Sequence, residues 1–171
     1  NEGYRVKPYF ISRVEDINGN VLYEHKDTKE AVLNKSITYI LSELLANTSN
    51  GNFIGYTYPT SYVIANKLTR KYAIKTGTTE YDHLVFGYNK DVVVGVWSGY
   101  DDNRELEYGD TTANKNLWAD IIEKYLDGKE DNWYSMPNNV VGVLVDPISG
   151  KLANEDTEKS VIQYYLKGTE P

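Results

Sequence analysis

Residues 73–79 read Ala73-Ile74-Lys75-Thr76-Gly77-Thr78-Thr79. The β-branched and small residues suit a strand, and Gly77 suits a strand that another backbone approaches closely. On a strand, residues two apart share a face, so Thr76 and Thr78 project together. Two hydroxyl donors beside the Lys75 ammonium make a carboxylate site. The competing reading is a plain strand end with a solvent lysine and a turn glycine. Lys-Thr-Gly alone does not decide between them, because roughly a few per cent of chains this long carry it by chance.

Outward from this run, two further strands are expected at 84–88 and 92–97. Asn89-Lys90-Asp91 between them is short enough for an antiparallel hairpin. Upstream, Ile37, Ile40, Leu41, Leu44 and Leu45 recur at helical spacing, with Asn34 as N-cap. Earlier still, Tyr9-Phe10-Ile11 and Val14 lead through Asn18-Gly19 to Val21-Leu22-Tyr23. That pattern predicts a hairpin with positive φ at both Asn18 and Gly19. Downstream, Leu117, Trp118, Ile121, Ile122, Tyr125 and Leu126 form an apolar stripe on a second helix. Thr111 or Thr112 would cap it and Gly128 would end it. Strands at 140–145 and 161–166 flank the turn Asp146-Pro147-Ile148-Ser149-Gly150. The sum is a mixed α/β (α+β) chain with an antiparallel sheet flanked by helices.

Composition narrows the function classes. The 171 residues hold 18 Lys plus Arg against 25 Asp plus Glu, a net charge of −7. A nonspecific nucleic-acid binder needs a basic face, and so does a protein held on an anionic membrane. With no cysteine, disulfides, cysteine–zinc sites and thiol nucleophiles are excluded. The longest apolar run, Val92-Val93-Val94-Gly95-Val96-Trp97, is too short to span a bilayer. No initiator Met opens the chain at Asn1, so a piece of a longer protein is expected.

The motifs in order carry a resemblance. Lys75-Thr76-Gly77-Thr78-Thr79 is followed by Asp82, Phe86-Gly87-Tyr88 and Val94-Gly95-Val96-Trp97-Ser98-Gly99-Tyr100-Asp101-Asp102. Then come Trp118, Pro137, Ser149-Gly150-Lys151-Leu152-Ala153 and Gly168-Thr169-Glu170-Pro171. This set resembles the C-terminal half of the transpeptidase domain of class A (bifunctional) penicillin-binding proteins. The resemblance implies a serine transpeptidase/β-lactamase-like fold, of which residues 1–171 would be a single partial domain. It implies a D,D-transpeptidase that cross-links peptidoglycan stem peptides through a serine acyl-enzyme and binds β-lactams. The strand would line the groove for D-Ala-D-Ala, with Thr76 and Thr78 on the carboxylate. Lys75 would tune the site electrostatically, and Gly77 and Thr79 would complete the substrate-binding run. The Thr78 N–H would form half of an oxyanion hole. The parent would be anchored by an upstream transmembrane helix, with this region on the extracytoplasmic face and a glycosyltransferase domain upstream. No cofactor, metal or nucleic acid is implied, nor direct membrane contact by this segment.

Three departures stand against the pattern. None of the nine serines has Lys three positions on or Asn two positions on, so the acylated serine, its lysine and the second motif are absent. Leu84 stands where the family usually has an aromatic, and His83 replaces a small residue. The rival expectation is a non-catalytic cell-wall binding or scaffold module that keeps the groove without the nucleophile.

Other candidates have plainer readings. His25 and His83 show no ligand spacing. Asp101, Asp102, Glu105 and Glu107 read as a solvated loop rather than a cation site. Asp82 is either a turn residue or a hydrogen-bonding support. Trp97 and Trp118 read as core.

Overall fold

The computed structural model describes residues 1–106 and 111–171. Its centre is a three-stranded antiparallel sheet in the order β5–β6–β7, made of β5 (Ala73–Thr78), β6 (Asp82–Tyr88) and β7 (Val93–Gly99). Register aligns Lys75 with Phe86 and Gly95, and Gly77 with Leu84 and Trp97. The strands expected from the sequence are present, and Asn89 builds the β6–β7 turn by accepting from the N–H groups of Asp91 and Val92.

One face of the sheet is covered by α2 (Thr111–Leu126), whose Trp118, Ala119, Ile122 and Leu126 are buried against Ile74, Val85 and Val96. Val92 and Val94 pack at the margin of this core, as their alternation predicts. The helix is described from Thr111, with Thr111 and Thr112 within it, and residues 107–110 before it lie outside the described residues. It stops where Gly128 takes φ +71°. A second, smaller core joins Phe53, Val145 and Val161. It lies by the antiparallel pair β8 (Val140–Val145) and β9 (Val161–Leu166).

Helix α1 (Lys35–Ala46) links the two regions. Asn34 caps it, accepting from the N–H groups of Ser36 and Ile37. The face it buries is not the expected stripe. Ser36, Tyr39, Ser42 and Glu43 are buried, while Ile37, Leu41 and Leu44 are each about half exposed. The reason is a polar network. Glu43 is only 4% exposed, pairs with Lys71 and accepts from the Trp133 indole at 2.8 Å. The Ser36 hydroxyl donates to Asn139 at 2.6 Å, and Ser42 shares a hydrogen bond with the Tyr88 hydroxyl at 3.0 Å.

The N-terminal residues form two ribbons, β1 (Tyr4–Val6) with β4 (Lys29–Ala31) and β2 (Arg13–Glu15) with β3 (Val21–Glu24). The β2–β3 turn differs from the two-residue expectation. Asp16 organises it, its carboxylate accepting from the N–H groups of Asn18 and Asn20, and only Gly19 takes positive φ. Tyr9-Phe10-Ile11 precedes the ribbon rather than belonging to it.

Candidate functional site

One edge of the sheet is β5, and its outward hydrogen-bonding groups can be followed residue by residue. In an antiparallel pair, successive residues turn their N–H and C=O alternately toward and away from the partner strand. The Ile74 carbonyl points away from β6, because the Thr48 hydroxyl reaches it at 3.1 Å. The Thr76 carbonyl also points away and accepts from the Lys75 ammonium. Thr79 turns the opposite way, its N–H donating to the Asp82 carbonyl at 2.9 Å. By the same alternation Thr78 presents its N–H and C=O on the open edge.

Lys75, Thr76, Gly77 and Thr78 therefore come together along a short length of open edge. Thr76 is half-buried and Thr78 exposed, on the side chain row of Ile74. Lys75 stems from the opposite face but bends its ammonium round to the Thr76 carbonyl on the edge. A lysine and two threonines follow one another here. Thr79 has another position: its hydroxyl accepts from the N–H groups of Tyr81 and Asp82, building the β5–β6 turn.

The face opposite α2 carries Lys75, Gly77, Leu84, Phe86 and Trp97. A Cβ placed on Gly77 would meet only the Leu84 side chain, at 3.5 Å, which is ordinary contact. No part of the described chain fills the space beside it. Trp97, read from sequence as core, is instead half exposed on this face. Its indole N–H donates to Asp82 at 2.7 Å, and its ring lies over Gly99, where a Cβ would meet it at 2.4 Å. Asp82 thus serves both readings made for it, as turn residue and as support. Sequence reasoning missed Trp97 because a strand tryptophan looks the same on a covered and on an uncovered face. His83 is buried behind the strand, its carbonyl accepting from Asn114 at 2.9 Å.

Other groups are structural. Asp146 is held below the ordinary carboxylate range by hydrogen bonds from the Ser149 hydroxyl and the Ile148 N–H. This matches its expected turn role. Burial pushes Tyr39 upward, with Glu43 beside it adding to the shift. His25 stacks on Tyr9. Asp102 pairs with Arg104 at 3.6 Å, and Glu107 lies outside the described residues. Among the described residues no group of three or more His, Asp or Glu is placed to hold a metal ion. None of the described helices is long and apolar enough to cross a membrane.

Residues 136–171 match the family described as penicillin-binding protein 1A, C-terminal domain. The chain is 36% identical over 172 residues to penicillin-binding protein 2D of Bacillus subtilis, covering all of this chain and 25% of that protein. It is 33% identical to penicillin-binding protein 2a of Streptococcus pneumoniae, over 81% of this chain and 19% of that one. The chain thus spans about a fifth to a quarter of the length of the curated relatives it matches. A crystal structure of penicillin-binding protein 1A from Haemophilus influenzae superposes with TM-score 0.85 at 21% identity, over 99% of this chain and 30% of that one. The superposition establishes the fold.

Proposed function

This chain belongs to the class A penicillin-binding proteins, and on that premise we propose that it supplies one wall of the groove of a serine D,D-transpeptidase. The observation that carries the reading is the open edge of β5, with two hydroxyls, one ammonium and outward N–H and C=O groups along it. An extended peptide pairs with such an edge through its backbone. The stem peptide ends in D-Ala-D-Ala, and its carboxylate lies on the hydroxyls of Thr76 and Thr78. Lys75 adds positive charge there. The Thr78 N–H donates to the carbonyl oxygen that becomes an oxyanion, together with an N–H from the serine region upstream.

The serine oxygen attacks the penultimate carbonyl, the peptide C–N bond breaks, and D-Ala leaves with the proton the serine gave up. An amine of a neighbouring stem peptide then attacks the ester, releasing the serine. A β-lactam enters the same groove and acylates the same serine. The upstream half of the domain brings that serine and covers the face bearing Leu84, Phe86 and Trp97. The whole protein is membrane-anchored, works on the extracytoplasmic face and carries a glycosyltransferase domain.

Fluorescent penicillin followed by a denaturing gel tests this. The full-length protein should be labelled, and the 171-residue chain alone should not. A full-length protein that takes no label overturns the transpeptidase reading in favour of a groove-bearing scaffold.

A further inference from the structure

The open edge of β5 is closed at one end, and the closure comes from the turn that follows α1. The 3-10 turn Asn47–Ser49 lies against the start of β5. The Thr48 hydroxyl sits 3.1 Å from the Ile74 carbonyl and 2.9 Å from the Leu45 carbonyl, so its proton is held between the strand and its own helix. The turn is fastened from behind as well. The Thr48 carbonyl accepts from the N–H of Ser61, a fully buried residue, at 2.8 Å. Asn50 donates to the Asn47 side chain at 3.1 Å. The first outward carbonyl of β5 is therefore held by a fastened turn of another segment, whereas the next, on Thr76, meets only the exposed side chain of its neighbour Lys75; Thr76 and Thr78 are the two strand residues beyond Ile74 whose edge groups face outward.

We propose that Thr48 is a specificity-determining residue: its turn is an end wall that lets the groove accept only a chain terminus. This rests on the groove reading above and deepens it. A peptide paired along β5 runs past Thr78 and must stop at Thr76, because its next residue would need the space and the Ile74 carbonyl that Thr48 holds. A carboxylate gathered by Thr76, Thr78 and Lys75 is then necessarily the last group of its chain. A peptide with one more residue beyond the D-Ala-D-Ala unit meets the wall. Discrimination comes from exclusion as well as from attraction to the charge.

The test uses the full-length protein and two synthetic peptides, one ending in D-Ala-D-Ala and one carrying a further glycine after it. Each competes with fluorescent penicillin, and each is assayed for turnover. Loss of the carboxylate contacts disfavours the longer peptide equally in every form of the protein. The change in the ratio of the two kcat/KM values on Thr48→Ala and Thr48→Gly therefore isolates the wall. The expected result is a ratio shifted toward the longer peptide by about tenfold or more, the size that one small steric element typically confers. A ratio unmoved in both variants overturns the proposal. So does an unmodified protein for which the two peptides compete equally well, and that arm stands even where the variants fail to fold. Failure of the groove reading looks different, since the unmodified protein then takes no penicillin label.

Discussion

Gly87 of β6 lies directly beneath the indole of Trp118. A Cβ at that position would stand 2.3 Å from Cζ2 of the ring, far inside contact distance. The indole is pinned above, its N–H donating to the Val94 carbonyl at 3.1 Å, and Tyr72 meets it edge-on with centroids 5.6 Å apart. It has no direction in which to yield. Gly87→Ala is therefore expected to destabilise the fold by roughly 1–3 kcal/mol through overpacking. The melting temperature should fall by several degrees, about 2–4 °C for each kcal/mol in a chain of this size. Thermal unfolding followed by circular dichroism reads this directly, and an unchanged midpoint would mean that α2 can lift from the sheet at no cost.

Lys75→Ala should separate activity from stability. The side chain is exposed and its hydrogen bond is to the neighbouring Thr76 carbonyl, so truncation leaves the core intact. In the full-length protein, acylation by penicillin is expected to slow about a hundred- to a thousand-fold, the usual effect of losing one contact to developing charge. The melting point should stay within the small range typical of surface substitutions. Stopped-flow acylation beside a melting curve gives both numbers. A lowered melting point with an unchanged rate would return Lys75 to a purely structural role.

Alkaline pH should weaken the fold in a defined window. Burial pushes Tyr134 up to about 12, with Tyr88 nearby adding to it, and burial also raises Tyr39 and Tyr72. Their ordinary value is about 10. A tyrosine whose folded pKa is raised contributes stability fully present below the unfolded value, and this is lost as pH rises through the folded one. Melting temperatures should accordingly hold to about pH 10 and decline toward pH 12. Tyrosinate absorbance should show a late-titrating group among the 16 tyrosines. A single transition at the ordinary value for all of them would contradict the burial of these rings.

Self-association is expected of the isolated chain. Phe86, Val93 and Trp97 are exposed on the uncovered sheet face, and Ile37, Leu41 and Leu44 along α1. Contiguous apolar surface of a few hundred Å² is an association liability. Sedimentation velocity at micromolar concentration should show dimers or larger species, relieved by co-expression with the upstream half of the domain. A clean monomer with a cooperative melt would mark the chain as an autonomous unit.

The sheet was legible because its signals are local, and so was the placing of Lys75 to Thr78 on an edge strand. Strand alternation in Val92, Val94 and Val96, the Asn89 turn and the Lys75–Thr78 spacing all act within a few residues. The same holds for Asn34 at the start of α1. What escaped is whatever depends on distant partners. The Ile37, Leu41 and Leu44 stripe promised the buried face of α1, but hydropathy periodicity does not tell which side of a helix the rest of the chain covers. Glu43 is buried instead because Lys71 and Trp133 satisfy it, and no periodicity announces a pairing across that distance. The β1–β4 ribbon is similarly silent, since each strand is only three residues long. The closure of the β5 edge by Thr48 rests on one hydroxyl and one carbonyl 26 positions apart.

The inward carboxylate of α1 also sets an order of events during synthesis. Ser36 waits 103 residues for Asn139, and Glu43 waits 28 for Lys71 and 90 for Trp133. At roughly 5–20 residues per second, the last of these emerges about 5–18 s after Glu43 itself. Until then Lys71 is the one of its two partners already made, while β5, β6 and β7 can already pair. The helix that walls the open edge is therefore made before the sheet, yet completes its polar contacts only after the sheet can pair.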